Sequence, residues 1–296
     1  MPQLSSRKTF TLAAGDWTLG LGERTLVMGI LNVTPDSFSD RGAHFEIEAA
    51  VRRAWQIAEE GADILDIGGE STRPGSQGVD TEEELRRVIP VLEALARGPG
   101  YPIPVSVDTS KARVAREALQ CGAAVINDIT ALDNDPAIAE EVAARGAALV
   151  LMHMRGKPSN MQALPPSPDI LGEIDRWARE AVARAEAGGV SSDKVILDPG
   201  IGFGKTATQN IEIIVNLPRL AAAGFPVLVG TSRKSFIGSI VKKTAEERVP
   251  GTCATVAASI LYGAHIVRVH DVAAARDVAD VTDAIARAAG RTPEAG

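Results

Sequence analysis

Four polar side chains stand at or just past the ends of short apolar runs: Asp108 in Val105–Asp108, Asn127 in Ala124–Asp128, Asp198 in Val195–Asp198, and Lys234 just beyond Val227–Ser232. Leaving a polar group desolvated and unpartnered costs on the order of several kcal/mol, so two carboxylates, an amide and an ammonium in one apolar cup must find partners. They can satisfy one another as a structural network, or a ligand can complete them. A flat heterocycle with a guanidine-like donor edge suits Asp198, whose two oxygens accept a paired hydrogen bond. Asn127 can donate and accept on the same ring system, and Lys234 can donate to a ring carbonyl or nitrogen.

A second set of residues suits an anion. Arg268 and His270 alternate at the end of Ile266–His270, and Asn32 ends Val27–Asn32. If the first and last runs are neighbours, the three meet: a fork of donors for phosphate oxygens, a donor adjustable near neutral pH, and an amide oxygen for magnesium. The plainer reading of a histidine at a strand end is structural. Two segments rich in turn residues, Thr34–Gly42 and Glu70–Ser76, are long for strand-to-helix connections and read as lids or as solvated turns. A helix is expected to start at about Ser235, where its free amides can receive a carboxylate. Gly200–Thr206 looks like a nucleotide phosphate loop at its end, but Pro199 stands where the first glycine is required and Lys205 breaks the dinucleotide pattern. No cysteine–histidine pair or serine elbow points to covalent catalysis, and the pattern offers no partner for His44, His153 or His265.

These positions call for a scaffold that brings strand ends together. Eight apolar runs recur: the six already named with Ile64–Gly68 and Ala148–His153. They are rich in Val, Ile and Leu and mostly do not alternate, as in parallel strands covered on both faces. Between them, Glu46–Glu60, Thr81–Arg97, Lys111–Leu119, Pro136–Ala144, Leu171–Ala187, Asn210–Ala222, Cys253–Tyr262 and Ala273–Ala289 carry helical spacing. Glycine punctuates several of their ends, at Gly61, Gly122, Gly146, Gly224 and Gly263. Eight such units in roughly 250 residues predict a closed (β/α)8 TIM barrel, with an open doubly wound sheet as the alternative. The 296 residues, 45% hydrophobic and without a dividing linker, read as one domain. Lys8–Leu12 and Trp17–Leu21 predict an N-terminal β-hairpin (about 7–22) that plugs the barrel bottom, and residues after about 291 read as a tail. Cys121 and Cys253 sit in apolar, helix-like surroundings and read as buried thiols. A net charge of −7 without a basic run argues against a nucleic-acid surface. No apolar stretch reaches the roughly 20 residues a bilayer requires, so a soluble, cytoplasmic protein is expected.

With these motifs in hand, the chain resembles the bacterial-type dihydropteroate synthases. The resemblance runs from about residue 25 to 290 and is carried by Leu31–Asp40, Asp66–Gly75, Ser106–Thr109, Ile126–Asp128, Asp198–Lys205, Ser232–Ser235 and Arg268–Asp271. It implies a (β/α)8 barrel, a homodimer, and a transferase that joins hydroxymethyl-dihydropterin diphosphate to para-aminobenzoate in folate biosynthesis, a sulfonamide target. It further implies that Asp108, Asn127, Asp198 and Lys234 hold the pterin, with Phe203 near its face. Asn32, Arg268 and His270 would hold diphosphate and Mg2+, and Thr72, Arg73, Ser235 and Phe38 would shape the aminobenzoate site. Arg41 stands where the family often has glycine. The expected chemistry is dissociative: diphosphate leaves, a pterin cation forms, and the arylamine attacks it. Asp108 would stabilise the cation, while Arg268 and His270 stabilise the departing anion. Two alternatives share the pterin pocket: a barrel that presents methyl-folate to a corrinoid protein, and a catalytically silent paralogue. The first has no use for the diphosphate-facing motifs.

Overall fold

The computed structural model describes residues 7–34, 43–71, 76, 78–97 and 100–290. A hairpin of β1 (Phe10–Ala14) and β2 (Trp17–Leu21) precedes the strands β3 (Leu26–Asn32), β4 (Ile64–Gly68), β5 (Val105–Asp108), β6 (Val125–Asp128), β7 (Ala148–Met152), β8 (Val195–Asp198), β9 (Leu228–Val229) and β10 (Ile266–Val269). Those eight pair in parallel in the order β8-β7-β6-β5-β4-β3-β10-β9. A parallel bridge between Leu197 and Val227 joins β8 to β9 and closes the ring, so the barrel is formed and the open sheet is ruled out. The helices α1 (Ala43–Glu59), α2 (Thr81–Arg97), α3 (Ala112–Gln120), α4 (Ile138–Arg145), α5 (Ile170–Ala187), α6 (Ala207–Val215), α7 (Leu217–Ala221), α8 (Ser235–Val241), α9 (Val249–Leu261) and α10 (Val272–Ala288) run between and after the strands. None is long and apolar enough to cross a membrane among the described residues.

Strand residues point alternately out and in, and the two faces do different work. Outward-facing Val27, Leu65, Ile67, Val107, Ile126, Leu149, Leu197 and Val267 pack with the helices in one large core. Inward-facing Met28, Ile64, Val125, Val150, Ile196, Leu228 and Ile266 form a second core inside the ring. Two residues further along the same inward positions come Asp66, Asn127, Asp198 and Arg268. The interior is thus an apolar floor with a polar storey above it.

Among the boundaries that differ from those expected, three bear on how the barrel is built. The hairpin register pairs Ala14 with Trp17, which moves β1 two residues on and leaves Gly15-Asp16 as the turn. Leu12, Ala14, Leu19 and Leu21 then face the inner core, plugging the bottom. The helix expected over residues 210–222 is two, because Pro218 in the first turn of α7 has no N–H to continue α6. The seventh barrel strand is Leu228–Val229, with Val227 bridging to Leu197 outside it, and the chain turns further on at Arg233, which holds a left-handed φ of 55°.

Below the floor, the chain before β1 is tied in by polar groups. The Arg7 guanidinium meets the Asp283 carboxylate and donates to Thr25 Oγ1 (2.6 Å), while the Thr25 N–H donates to Asp283 (2.6 Å). Side chains of the ion pair are only 1% and 2% exposed. His265, whose Nδ1 accepts from the Val227 N–H (3.1 Å) and whose Nε2 meets the Lys8 carbonyl (3.0 Å), is a structural histidine. Burial pulls its pKa down to about 4, so it stays neutral. Removing one partner of a buried ion pair strands the other charge in low dielectric, at a cost of about 3–5 kcal/mol. Asp283→Ala is therefore expected to lower the free energy of unfolding in urea by that order; a loss within experimental error of zero would remove the pair from the stability of the fold.

Candidate active site

The polar storey is organised by Arg268, at an inward position of β10. Its Nε donates to Asp66 Oδ2 on β4 (2.6 Å) and its Nη2 to Asp108 Oδ2 on β5 (2.8 Å). Asn127 on β6 is Asp108's register partner and donates through Nδ2 to the same Asp66 oxygen at 3.2 Å. Burial pushes the Asp108 carboxyl pKa up, and the adjacent guanidinium opposes that by favouring the ionised form. Arg268 was expected among anion-binding groups, but here its guanidinium is engaged by two carboxylates. A buried cation takes the strongest acceptors within reach, and these are Asp66 and Asp108.

Across the mouth, Asp198 ends β8 and accepts from the Gly200 N–H (2.7 Å). Desolvation raises its pKa to about 6, against the pull of that N–H and of Lys234 and Lys205. Lys205 does not present itself to a phosphate. Its ammonium is spent on three carbonyls, those of Gly200 (2.8 Å), His153 (3.1 Å) and Phe203 (3.1 Å), which closes the loop after β8 upon the end of β7. Burial draws its pKa down to about 7, with Asp198 working the other way. Thr206 then caps α6 in a reciprocal pair with Gln209. What looked like a phosphate loop is a lysine-stapled turn and a helix cap. A side chain at Gly200, φ 66°, would put its Cβ 1.9 Å from the His153 carbonyl, so the turn requires glycine.

This loop sets Phe203 beneath Lys234, whose Nζ lies 4.0 Å from the ring centroid. Lys234 follows the strained Arg233, and three elements hold that strain. The Arg233 N–H donates to Thr252 (3.0 Å), its guanidinium grips Asp271 (2.9 and 2.6 Å), and its carbonyl accepts from Arg248 (3.0 Å). Burial, reinforced by Arg268, lowers the Lys234 pKa to about 8. Ile129, Met152, Met161 and Phe203 make a small apolar cluster against the loop. His153, 3.6 Å from Glu173 and edge-on to Trp177 at 5.3 Å, stands behind the turn rather than in the cup.

At the rim, His270 Nδ1 lies 2.9 Å from Ser232 Oγ, which also accepts from the His270 N–H (3.1 Å). Burial and the nearby arginines lower the imidazole pKa to about 3, so the ring is neutral. Ser235 opens α8 and is exposed. Asn32 ends β3 beside Gly68, the register partner of both Asn32 and Asp108. Lys111 bridges Glu70 and Glu84 at the base of the connection after β4. Phe38, Thr72, Arg73, Arg41 and Pro74, with the tips of both proposed lids, lie outside the described residues. Among the described residues, no three His, Cys, Asp or Glu side chains converge as a metal site. The single Asn32 amide oxygen fits magnesium that arrives with a diphosphate and keeps most of its waters.

Two residues of this arrangement escaped the sequence reading. Asp66 was hidden inside an apolar run, although a carboxylate between Leu65 and Ile67 in a strand covered on both faces is itself a signal. Lys205, which the spacing excludes as a phosphate ligand, has a structural role that the sequence does not show.

Comparison with known proteins shows which family this barrel belongs to. A family model described as "Pterin binding enzyme" matches residues 28–270. Dihydropteroate synthase of Synechocystis sp. is 47% identical over 288 residues, 97% of this chain and 99% of the relative. Two solved structures superpose along nearly the whole barrel. One is the Yersinia pestis dihydropteroate synthase in a sulfonamide complex (TM-score 0.87, 42% identity, 94% of this chain and 100% of that one). The other is the Xanthomonas albilineans dihydropteroate synthase with 4-aminobenzoic acid (TM-score 0.86, 44% identity, 94% and 98%). The chain belongs to the pterin-binding enzyme family, among its dihydropteroate synthases.

Proposed function

We propose that this chain is a transferase that condenses 6-hydroxymethyl-7,8-dihydropterin diphosphate with para-aminobenzoate, giving 7,8-dihydropteroate and diphosphate for folate biosynthesis. The observation that carries the reading is the polar storey itself. Asp108, Asn127, Asp198 and Lys234 converge from four points of one ring above an apolar floor, with Phe203 and Lys234 stacked at one side. Asp198 accepts the paired N–H donors of the pterin's guanidine-like edge, Asn127 meets the neighbouring edge, and Lys234 donates to the ring.

Reaction proceeds by departure of diphosphate from the pterin methylene, followed by attack of the arylamine nitrogen on the resulting cation. Asp108 is placed beside Arg268 so that its charge offsets the cation's by fixed electrostatics. Arg268, with Nε and one Nη2 N–H given to Asp66 and Asp108, turns its remaining N–H groups and its positive charge to the leaving oxygens. The Ser232 hydroxyl, which accepts from the His270 N–H, donates to Nδ1, leaving the Nε2 proton to face the same anion. Asn32 would hold magnesium, which would supply further positive charge to the leaving diphosphate. Phe38, Thr72, Arg73 and Ser235 form the aminobenzoate site, and the two lids exclude water that would capture the cation. The relative with 4-aminobenzoic acid supports the acceptor substrate, and the sulfonamide complex of another supports sulfonamides as competitors for that site. The working form is a homodimer in the cytoplasm.

Two outcomes are expected. Lys234→Ala lowers kcat/KM for dihydropteroate formation by about 100-fold or more, read by chromatography of the product, since it removes a preorganised donor from a desolvated site. An unchanged rate would displace Lys234 from the pterin. Asp198 binds a donor edge only as the carboxylate, and burial raises its pKa to about 6 in the free protein. Pterin affinity therefore strengthens as pH rises through about 6 and weakens about tenfold per unit below it. Asp108 and the pterin titrate as well, so calorimetry at pH 5 to 8 compares wild type with Asp198→Asn. The leg near pH 6 disappears in the variant, and its persistence would assign the titration elsewhere.

A further inference from the structure

Asp66 has no place in the reaction as described, yet it is the most deeply set charge of the site. It is 0% exposed, sits one inward step below the mouth, and touches residues from both halves of the pocket through one oxygen: Arg268 Nε at 2.6 Å and Asn127 Nδ2 at 3.2 Å. A carboxylate held against a guanidinium can only accept, so it dictates which end of the Asn127 amide turns toward it. The NH2 must face Asp66, and the carbonyl Oδ1 must face the cup. An asparagine free to choose would offer a ligand either end; this one is fixed as an acceptor.

We propose that Asp66 is a specificity-determining positioning residue that locks the Asn127 amide with its oxygen toward the ligand, making the pocket selective for a ring carrying an exocyclic amino donor. The inference rests on the pterin reading of the site and adds to it. Asn127 on β6 and Asp198 on β8 are separated only by β7. A guanidine-like edge paired to Asp198 commits one amino N–H there, and the second N–H of that amino group points away from the pair, where the Asn127 oxygen can accept it. A flipped amide would set two donors against each other at that point, an unpaired buried contact. The same Asp66 oxygen fixes Arg268 Nε, so the orientation of the ring reader and of the anion reader share one anchor.

The test measures binding of 6-hydroxymethylpterin and of the same ring lacking its 2-amino group, by calorimetry at one pH, to wild type, Asp66→Ala, Asp66→Leu and Asp66→Asn. Leucine has the carboxylate's branched shape without an acceptor. Asparagine can keep an oxygen at the shared acceptor position and turn its NH2 to the Oδ1 position, so it should rescue. Wild type is expected to prefer the amino-bearing ring. Asp66→Ala and Asp66→Leu should reduce that preference by roughly tenfold, the worth of one buried hydrogen bond, whereas Asp66→Asn retains it. In an Asn127→Ala background, Asp66→Ala should change the preference no further. Equal weakening for both rings, with the preference unchanged, would overturn the proposal and leave Asp66 a structural anchor for Arg268. Loss of folding by circular dichroism in both the alanine and leucine variants would do the same. If the wild type bound neither ring, the pterin reading would fail instead, which is a separate result.

Discussion

A positive charge buried among carboxylates is the constraint on which the rest of this site depends. Arg268 is desolvated at an inward position of the barrel, and nothing in the apolar floor beneath it can stabilise a cation. It therefore draws Asp66 and Asp108 to itself, and each of these brings a consequence. Burial still raises the Asp108 pKa, to about 7, and the guanidinium limits that rise. Asp66 is left with one choice of contact to Asn127. One guanidinium thus opposes the effect of burial on one carboxylate and shares the other with the Asn127 amide. Because a buried pair rarely adds net stability over apolar packing, this cluster is better understood as preorganisation than as a source of folding energy.

The site's opposite wall is built from backbone rather than from charge. Lys205 has three N–H donors and three carbonyl acceptors, so its ammonium is fully used in holding the loop after β8 to the end of β7. That loop presents Phe203 to Lys234, which itself follows a residue in left-handed backbone. Strain of this kind is of order 1–3 kcal/mol and persists only where the surroundings over-determine it. Here they do: Thr252, Asp271 and Arg248 hold Arg233 from the two last helical units of the barrel. The rim between β9 and β10 is consequently rigid, and a lysine with lowered pKa is delivered to the mouth at a fixed angle.

How much of this was legible in the sequence follows from which physics each residue obeys. The strands and their order came through because burial on both faces demands continuous apolar runs, and Asp108, Asn127 and Asp198 were visible because each interrupts such a run at its end. Asp66 was not, because it interrupts a run in the middle, where a strand's inward position can be told from its outward one only once the barrel is closed. The spacing excludes a phosphate loop but does not show what Lys205 does instead, because the role turns on the His153 carbonyl, distant in sequence. The split of α6 from α7 was signalled by Pro218 and was passed over in favour of apolar spacing. Phe38, Thr72 and Arg73 rest on resemblance alone, being outside the described residues.

The layered interior explains how one chain reconciles stability with a polar cup. Along a strand, inward positions recur every second residue, about 6.6 Å apart. Ile64 then Asp66, Val125 then Asn127, Ile196 then Asp198 and Ile266 then Arg268 each place an apolar residue one step below a polar one. Among the described residues, the hairpin's Leu12, Ala14, Leu19 and Leu21 pack into the floor from beneath, opposite the mouth. A flat ring entering there exchanges hydration for fixed donors and acceptors whose own reorganisation has already been met by Arg268, Lys205 and the strained turn at Arg233. In the reaction proposed above, a leaving anion at this mouth would pass Arg268 on β10 and His270 just beyond it, so the same strand end that fixes the carboxylates would also face the departing charge.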